Sequence, residues 1–394
     1  MRHQKRFWQG ALCGALAVLL GLGLVSCAGS LPFLGKEEAV SQETKEKLSG
    51  IQALIQKEYI GEVDEDALQT GICQGYVGAL GDPYSAYYDE EQTSALMETT
   101  QGEYGGIGVV LTQNLDTGVT TASSVYEDSP AMKAGMKDGD IIYQVEGRDV
   151  SGMALEEISG SIKGEKGTTV EITVLRGEER EEVTLTITRD TIQAETVKTR
   201  ILEDEIGYLA ISEFDSVTLE QYREGLAELK AQGMEGLIVD LRGNPGGNLD
   251  TVCEILDLML PEGLIVYTED KDGNRQEFTS DEAQEVQVPL AVLVDGNSAS
   301  ASEIYAGAIQ DYGIGQIVGT KTYGKGVVQT IYDLKDGTSL KLTVAEYFTP
   351  NGRNIDGEGI TPDVEVTYQR DENDPEADNQ LDRAVETLQN EMAP

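Results

Sequence analysis

Residues 289–305 read PLAVLVDGNSASASEIY. Leu290–Val294 is an unbroken apolar run, the pattern of a strand buried on both faces. Asp295-Gly296-Asn297 makes a turn. From Ser298 onward three serines, Ser298, Ser300 and Ser302, alternate with alanines and lead into a helical pattern. A strand, a sharp turn and a serine opening a helix expose a hydroxyl at the helix N-terminus. There the backbone N–H groups and the helix dipole favour negative charge. Ser300 and Glu303 also form S-x-x-E, the capping box of many ordinary helices. On this stretch alone, cap and nucleophile stand as alternatives.

The same alternation of strand and helix extends to both sides. Ile206–Ile211 reads as a strand, Thr218–Ala231 as a helix, residues 236–241 (GLIVDL) as a buried strand and 248–260 as a helix. After residues 289–311 comes a further strand at 317–319, then β-rich segments at 326–332 and 339–349. This βαβ order predicts an α/β fold with a mostly parallel sheet over residues 191–370. Residues 371–394 read as an acidic linker and a terminal helix. Residues 36–100 read as a helical region.

Composition removes several chemistries. The chain has 394 residues and a single histidine, His3, near its N-terminus. Ser-His-Asp and Cys-His catalysis and histidine-based zinc sites are therefore excluded from the body, and no metal or cofactor is expected. The 71 acidic residues against 29 basic ones give a net charge of −42, which repels phosphate backbones and excludes nucleic acid as a partner. Cys73 and Cys253 are either a disulfide or two buried thiols.

Residues 1–35 form a targeting segment: Arg2, Lys5 and Arg6 precede a charge-free run from Phe7 to Gly35. Leu24-Val25-Ser26-Cys27 resembles a bacterial lipobox with Cys27 as the lipidated residue. The alternative is an uncleaved helix, since the run reaches the ~20 residues that a span requires. Either reading puts the body on the extracytoplasmic face of a bacterial cell membrane.

Residues 101–190 change period. A glycine-rich loop at Gly105-Gly106-Ile107-Gly108 opens a strand, Ser129-Pro130-Ala131 starts a short helix, and a late helix is followed by two strands. This order resembles a PDZ domain, inserted before the core. The resemblance implies that Gly105, Gly106, Ile107 and Gly108 hold the C-terminal carboxylate of a peptide that adds as a strand.

Asp240-Leu241-Arg242-Gly243-Asn244-Pro245-Gly246-Gly247, between a strand and a helix, can turn backbone N–H groups outward as an oxyanion hole or serve as a mere turn. A nucleophilic Ser300 needs a base, and with histidine excluded a lysine is the obvious choice. Lys325 stands between Gly324 and Gly326. Burial can lower a lysine pKa by up to ~3–5 units; the bland alternative is a surface lysine in a turn.

Ser298-Ala299-Ser300-Ala301-Ser302-Glu303, then Thr322-x-Gly324-Lys325-Gly326-x-x-Gln329, together with Gly81-Asp82-Pro83-Tyr84-Ser85 and the loop at 240–247, resemble the C-terminal processing (tail-specific) serine peptidases. The resemblance implies a crotonase/ClpP-like core and a serine endopeptidase acting on exported proteins whose tails the PDZ-like domain engages. It implies Ser300 as nucleophile, Lys325 as base, Gln329 as the residue orienting it, and the N–H groups of Gly246 and Ala301 as the oxyanion hole. Family members often pair two chains, and the N-terminal helices could do so here. A straight strand would hold Lys325 and Gln329 ~13 Å apart, so their contact requires a bend at Gly324 and Gly326. The alternative function is a catalytically silent PDZ adaptor.

Overall fold

The computed structural model describes residues 40–392 other than 116, 283, 372, 373, 375 and 376. The expected targeting segment, with Cys27, lies outside them. Among the described residues no helix is long and apolar enough to cross a membrane.

The described residues divide into two compact units that part between Gln69 and Thr70, within the helix Glu65–Gly78. In the first, Ser41 caps the helix Gln42–Glu58, its Oγ accepting the Thr44 N–H at 3.2 Å. Asp64 accepts the Ala67 N–H (3.0 Å) at the start of the helix Glu65–Gly78. Gln52 and Gln56 each donate to the Glu65 carboxylate at 2.9 Å. Neither helix buries a residue, so side-chain hydrogen bonds rather than a core connect Glu65 to the preceding helix.

The second unit is organised by a six-stranded sheet. Its order is Val197–Ile201, Ile206–Ile211, Gly236–Asp240, Leu290–Val294, Gln316–Gly319 and Val364–Glu365. Every residue of Gly236–Asp240 and of Leu290–Val294 is buried, as the apolar runs require. Successive side chains point to opposite faces. Leu237, Val239, Leu290, Val292 and Val294 pack into the main core with the helices Thr218–Ala231, Leu249–Asp257 and Ala301–Tyr312. Ile238, Ala291 and Leu293 face the other way, onto Ala384 and Leu388 of the terminal helix Asn379–Met392.

Among the described strands, parallel ladders are confined to this sheet. Its first pair is antiparallel and the remaining four are parallel. Every other described ladder is antiparallel. The expectation of a mostly parallel sheet is corrected accordingly: it describes one sheet, whereas the strands as a whole pair mainly antiparallel. The reason is local, because short turns join neighbouring strands antiparallel while each parallel pair needs a long crossover.

A second sheet combines Ser339–Phe348 with Val327–Asp333, Ala86–Tyr88 and the hairpin Gly263–Asp270/Arg275–Ser280. A third, in the order Val109–Gln113, Thr120–Val125, Ile141–Val145, Thr169–Arg176 and Glu181–Thr188, has its own core with Ile142, Ile158, Ile172 and Ile187. Its neck is the pair Glu103–Gly106 with Asp190–Gln193. Cys73 and Cys253 are free thiols. Burial pushes the Cys253 thiol up to about 12, which keeps it protonated and unreactive.

Leu388 is fully buried between the terminal helix and the central sheet. Leu388→Ala removes that packing and leaves a cavity, so urea unfolding should register a loss of roughly 2–5 kcal/mol. A change below about 1 kcal/mol would mean that the helix does not seal this face.

Candidate active site

The strands Gly236–Asp240, Leu290–Val294 and Gln316–Gly319 are mutually parallel, so their carboxyl ends share one edge of the sheet. That edge is where α/β sheets bind ligands. The loops leaving it, at 241–248, 295–300 and 320–326, carry most of the expected site residues.

Ser300 is the N-cap of the helix Ala301–Tyr312, with φ 56° and ψ −115°. A non-glycine residue there is strained, at a cost of order 1–3 kcal/mol, which persists only where surrounding structure imposes it. The imposing contacts are visible. Glu303 Oε2 accepts the Ser300 N–H at 2.9 Å, and the Glu303 N–H donates to the Ser300 carbonyl at 2.8 Å. The flanking serines are spent on structure. Ser298 Oγ donates to the Leu241 carbonyl (2.8 Å) and Ser302 Oγ to the Asn244 carbonyl (3.0 Å), both buried. Of the three, only Ser300 lines the cavity beside the loop.

Glu303 does more than begin a helix. Fully buried, it also accepts Thr322 Oγ1 (2.5 Å), the Gly324 N–H (2.8 Å) and the Lys325 N–H (2.9 Å). Burial raises its pKa while these donors pull it down. The buried Tyr347 hydroxyl adds a second tie, lying within hydrogen-bond reach of the Lys325 and Ser300 carbonyls.

Lys325 lines the same cavity as Ser300. Its pKa is lowered, chiefly by burial and then by the Lys341 ammonium, against the pull of Asp82 and Glu303. Its Nζ sits 4.7 Å from the Tyr84 ring centroid, and no described carboxylate forms an ion pair with it. Tyr84 is held by the turn at 81–85, in which Asp82 accepts Tyr84 N–H (3.0 Å) and Ser85 Oγ accepts the Thr343 N–H (3.0 Å).

Of the bend expected at Gly324 and Gly326, only Gly324 takes a left-handed φ, and the break in the strand itself comes later. Gly324 has φ 91°, and the ladder between Val327–Asp333 and Ser339–Phe348 shifts register between Val328 and Gln329. Such a bulge re-aims the following side chain. Gln329 lines the cavity, but its amide donates to the Val327 carbonyl (3.4 Å) and Thr343 Oγ1 (3.5 Å) rather than to Lys325.

The expected oxyanion donors need one correction. The Gly246 N–H donates to Asn244 Oδ1 at 2.8 Å and the Gly243 N–H to Asp295 Oδ1 at 3.0 Å, so neither is free. Gly247 pairs with Phe214 through its neighbours, the Phe214 N–H donating to the Gly246 carbonyl (2.9 Å) and the Asn248 N–H to the Phe214 carbonyl (2.7 Å). Its own N–H therefore points away from Phe214 and has no acceptor among the described residues. The Ala301 N–H, at the first position of its helix, has none either. Both residues line the cavity with Ser300. Gly246 keeps a steric role: a Cβ there would stand 2.8 Å from Ser300 Cβ and 2.9 Å from Ala301 N.

The arrangement can do acyl-transfer chemistry. A hydroxyl, a lysine of lowered pKa and two unspent N–H donors share a cavity of about 330 Å³. Sequence reasoning missed Glu303 as a clamp, Asn244, Tyr84 and Tyr347. Tyr347 carried no local signal, Tyr84 and Asn244 stood inside quoted motifs without an assigned role, and Glu303 was marked as the second half of the capping box.

A second cavity, about 150 Å³, lies between Val109–Gln113 and the helix Leu155–Ile162. Gly106, Ile107 and Gly108 line it, whereas Gly105 turns to Gly164, whose N–H its carbonyl accepts at 3.1 Å. Val109–Gln113 is an edge strand, free on this side to pair with an added strand.

Comparison with known proteins agrees with this layout. Residues 205–366 match the model of peptidase family S41, residues 121–176 that of the PDZ domain, and residues 31–92 that of the activating protease CtpB N-terminal domain. The carboxy-terminal processing protease CtpA of Bacillus subtilis is 35% identical over 367 residues, covering 93% of this chain and 78% of the relative. CtpB of the same organism is 32% identical over 363 residues, covering 90% and 75%. A solved structure from Bacteroides fragilis assigned to the S41 proteases is 18% identical, covers 86% of this chain and 97% of that one, and gives a TM-score of 0.51, a likeness of fold. The chain belongs to the carboxy-terminal processing proteases of peptidase family S41 and carries a PDZ domain.

Proposed function

We propose that the chain is a Ser-Lys endopeptidase that cleaves exported proteins after its PDZ domain has engaged their C-terminal tails. What supports this reading best is the convergence of Ser300, Lys325 and the unspent N–H groups of Ala301 and Gly247 on one cavity. Neutral Lys325 takes the proton from Ser300 Oγ as it attacks the scissile carbonyl. The oxyanion draws on the Ala301 and Gly247 N–H groups. Lys325 returns the proton to the leaving amine, and water then releases the acyl group with Lys325 again as base. Gln329 orients Lys325 once its amide leaves Val327 and Thr343.

The edge strand and apolar groove at Val109, Leu111 and Leu155 support tail binding by strand addition, with Ile107 and Gly108 amides on the carboxylate. The strand-helix alternation over the central sheet supports a crotonase/ClpP-like core. The charge-free run at 7–35, with Cys27, supports tethering on the extracytoplasmic face of the membrane. A silent adaptor would have no use for a lysine of depressed pKa in the serine cavity.

Ser300→Ala and Lys325→Ala should each abolish cleavage of a tail-bearing protein substrate while leaving the circular dichroism spectrum unchanged. Retained turnover in either variant refutes the pair. Because the lysine must be neutral, kcat/KM should rise with pH, with an inflection below the ordinary lysine value of ~10.4. The Lys341 ammonium disfavours protonated Lys325, so Lys341→Met should move that inflection to higher pH. A shift to lower pH, or none, would contradict the assignment of Lys325 as base.

A further inference from the structure

The catalytic cavity contains two carboxylates that neither the fold nor the mechanism uses. Glu213 and Asp215 follow the strand Ile206–Ile211, and both line the cavity with Ser300 and Lys325. Phe214 between them is fully buried in the core and bonds through its backbone to Gly246 and Asn248. In extended chain, alternate residues share a side, so anchoring Phe214 inward turns Glu213 and Asp215 together toward the cavity. The anchor is the same bridge that frees the Gly247 N–H. The two acids are therefore fixed beside the oxyanion donors.

Asp215 is only 4% exposed. Its backbone is engaged, the N–H donating to Thr218 Oγ1 at 2.9 Å and the carbonyl accepting the Thr218 N–H at 3.1 Å. Its carboxylate has no hydrogen bond and no ion pair among the described residues, and neither does that of Glu213. Both carboxylates open onto the cavity, so their oxygens are placed to meet a group that enters it. The cavity's own cations do not pair with them. Lys325 lies over the Tyr84 ring, and Lys341 Nζ is 5.4 Å from the Tyr88 ring centroid. Burial and the neighbouring Glu213 push the Asp215 carboxyl up to about 7, and no cation pulls it back.

We propose that Asp215, with Glu213 beside it, forms the substrate side-chain subsite of this cavity and selects a lysine or arginine next to the scissile bond. The inference rests on the peptidase reading above. A basic side chain suits the place in both its parts. Its methylene stem fits the apolar wall of Leu96, Pro245 and Leu249, and its charged end meets two carboxylates that lack any other cation. The net charge of −42 draws basic segments toward the protein as a whole.

The test uses internally quenched peptides with one common C-terminal tail, carrying Lys, norleucine or Glu at each of three positions on either side of the cleaved bond. At pH 8, above the Asp215 value, the protein should cleave the Lys peptide at least tenfold better in kcat/KM than its norleucine isostere at one position, with Glu worst. Asp215→Asn keeps the shape of a side chain that bonds to nothing, and should collapse that ratio below twofold. Glu213→Gln should lower it part of the way. Cleavage without a Lys preference, or a preference that survives Asp215→Asn, overturns the subsite and leaves the peptidase reading standing. Absence of all cleavage by the unaltered protein overturns the peptidase reading instead. The subsite is then read by fluorescence anisotropy on Ser300→Ala. A tenfold tighter Kd for the Lys peptide, lost in Ser300→Ala/Asp215→Asn, supports it, and equal affinities refute it.

Discussion

The Glu303 carboxylate is buried and accepts four hydrogen bonds, from the Ser300 N–H, Thr322 Oγ1, the Gly324 N–H and the Lys325 N–H. Taking a carboxylate out of water costs several kcal/mol, and only excellent local pairing offsets it. Here the pairing is with two segments that no secondary structure joins. One is the strained turn into the helix Ala301–Tyr312 and the other is the glycine loop before Val327–Asp333. Thr322 extends the tie, because its Oγ1 also accepts the Ile360 N–H at 2.6 Å. Removing the carboxylate would strand four donors at once and leave the Tyr347 hydroxyl and the Tyr323 N–H bond to the Ser298 carbonyl as the remaining ties between the loop and the serine turn.

The strain at Ser300 follows from the same constraint. Its N–H must reach Glu303, its carbonyl must receive the Glu303 N–H and meet the Tyr347 hydroxyl, and Ala301 must begin the helix. A φ of 56° is the conformation that meets these demands while the hydroxyl faces the cavity. The capping-box geometry of Ser300 is thus compatible with the proposed nucleophile role. The box immobilises the backbone, and it is the backbone that aims the side chain.

What the sequence made legible is what local pattern controls. Apolar runs, GLIV before Asp240 and LAVLV at 290–294, marked two strands that are buried throughout. The glycines around Lys325 marked a bend, and Gly324 takes φ 91°. Features set by distant partners were not legible. Gly243, Gly246 and Gly247 look equivalent in sequence, and only the side chains of Asn244 and Asp295 decide which N–H remains free. Ala86–Tyr88 reads as part of a helical region, yet it pairs with Ser339–Phe348, more than 200 residues away. The hairpin Gly263–Asp270/Arg275–Ser280 interrupts the expected βαβ order, and its strands pair with each other and with Ser339–Phe348 instead of joining the central sheet.

The proposed lysine base faces an electrostatic problem in so acidic a chain. Each nearby carboxylate raises the lysine pKa, and Asp82 and Glu303 do so here. The fold limits that effect by giving those carboxylates other work. Asp82 is held by Tyr84 and Ser85, and Glu303 by its four donors, so their charge is partly answered before it reaches Nζ. Glu213 and Asp215 are handled differently. Burial disfavours their ionised form and they carry no donors. Lys325 itself meets an aromatic face rather than an anion. Burial and Lys341 can therefore lower its pKa despite a net charge of −42 on the chain. Screening by water limits the reach of exposed charges, so the few groups around the cavity outweigh the many on the surface.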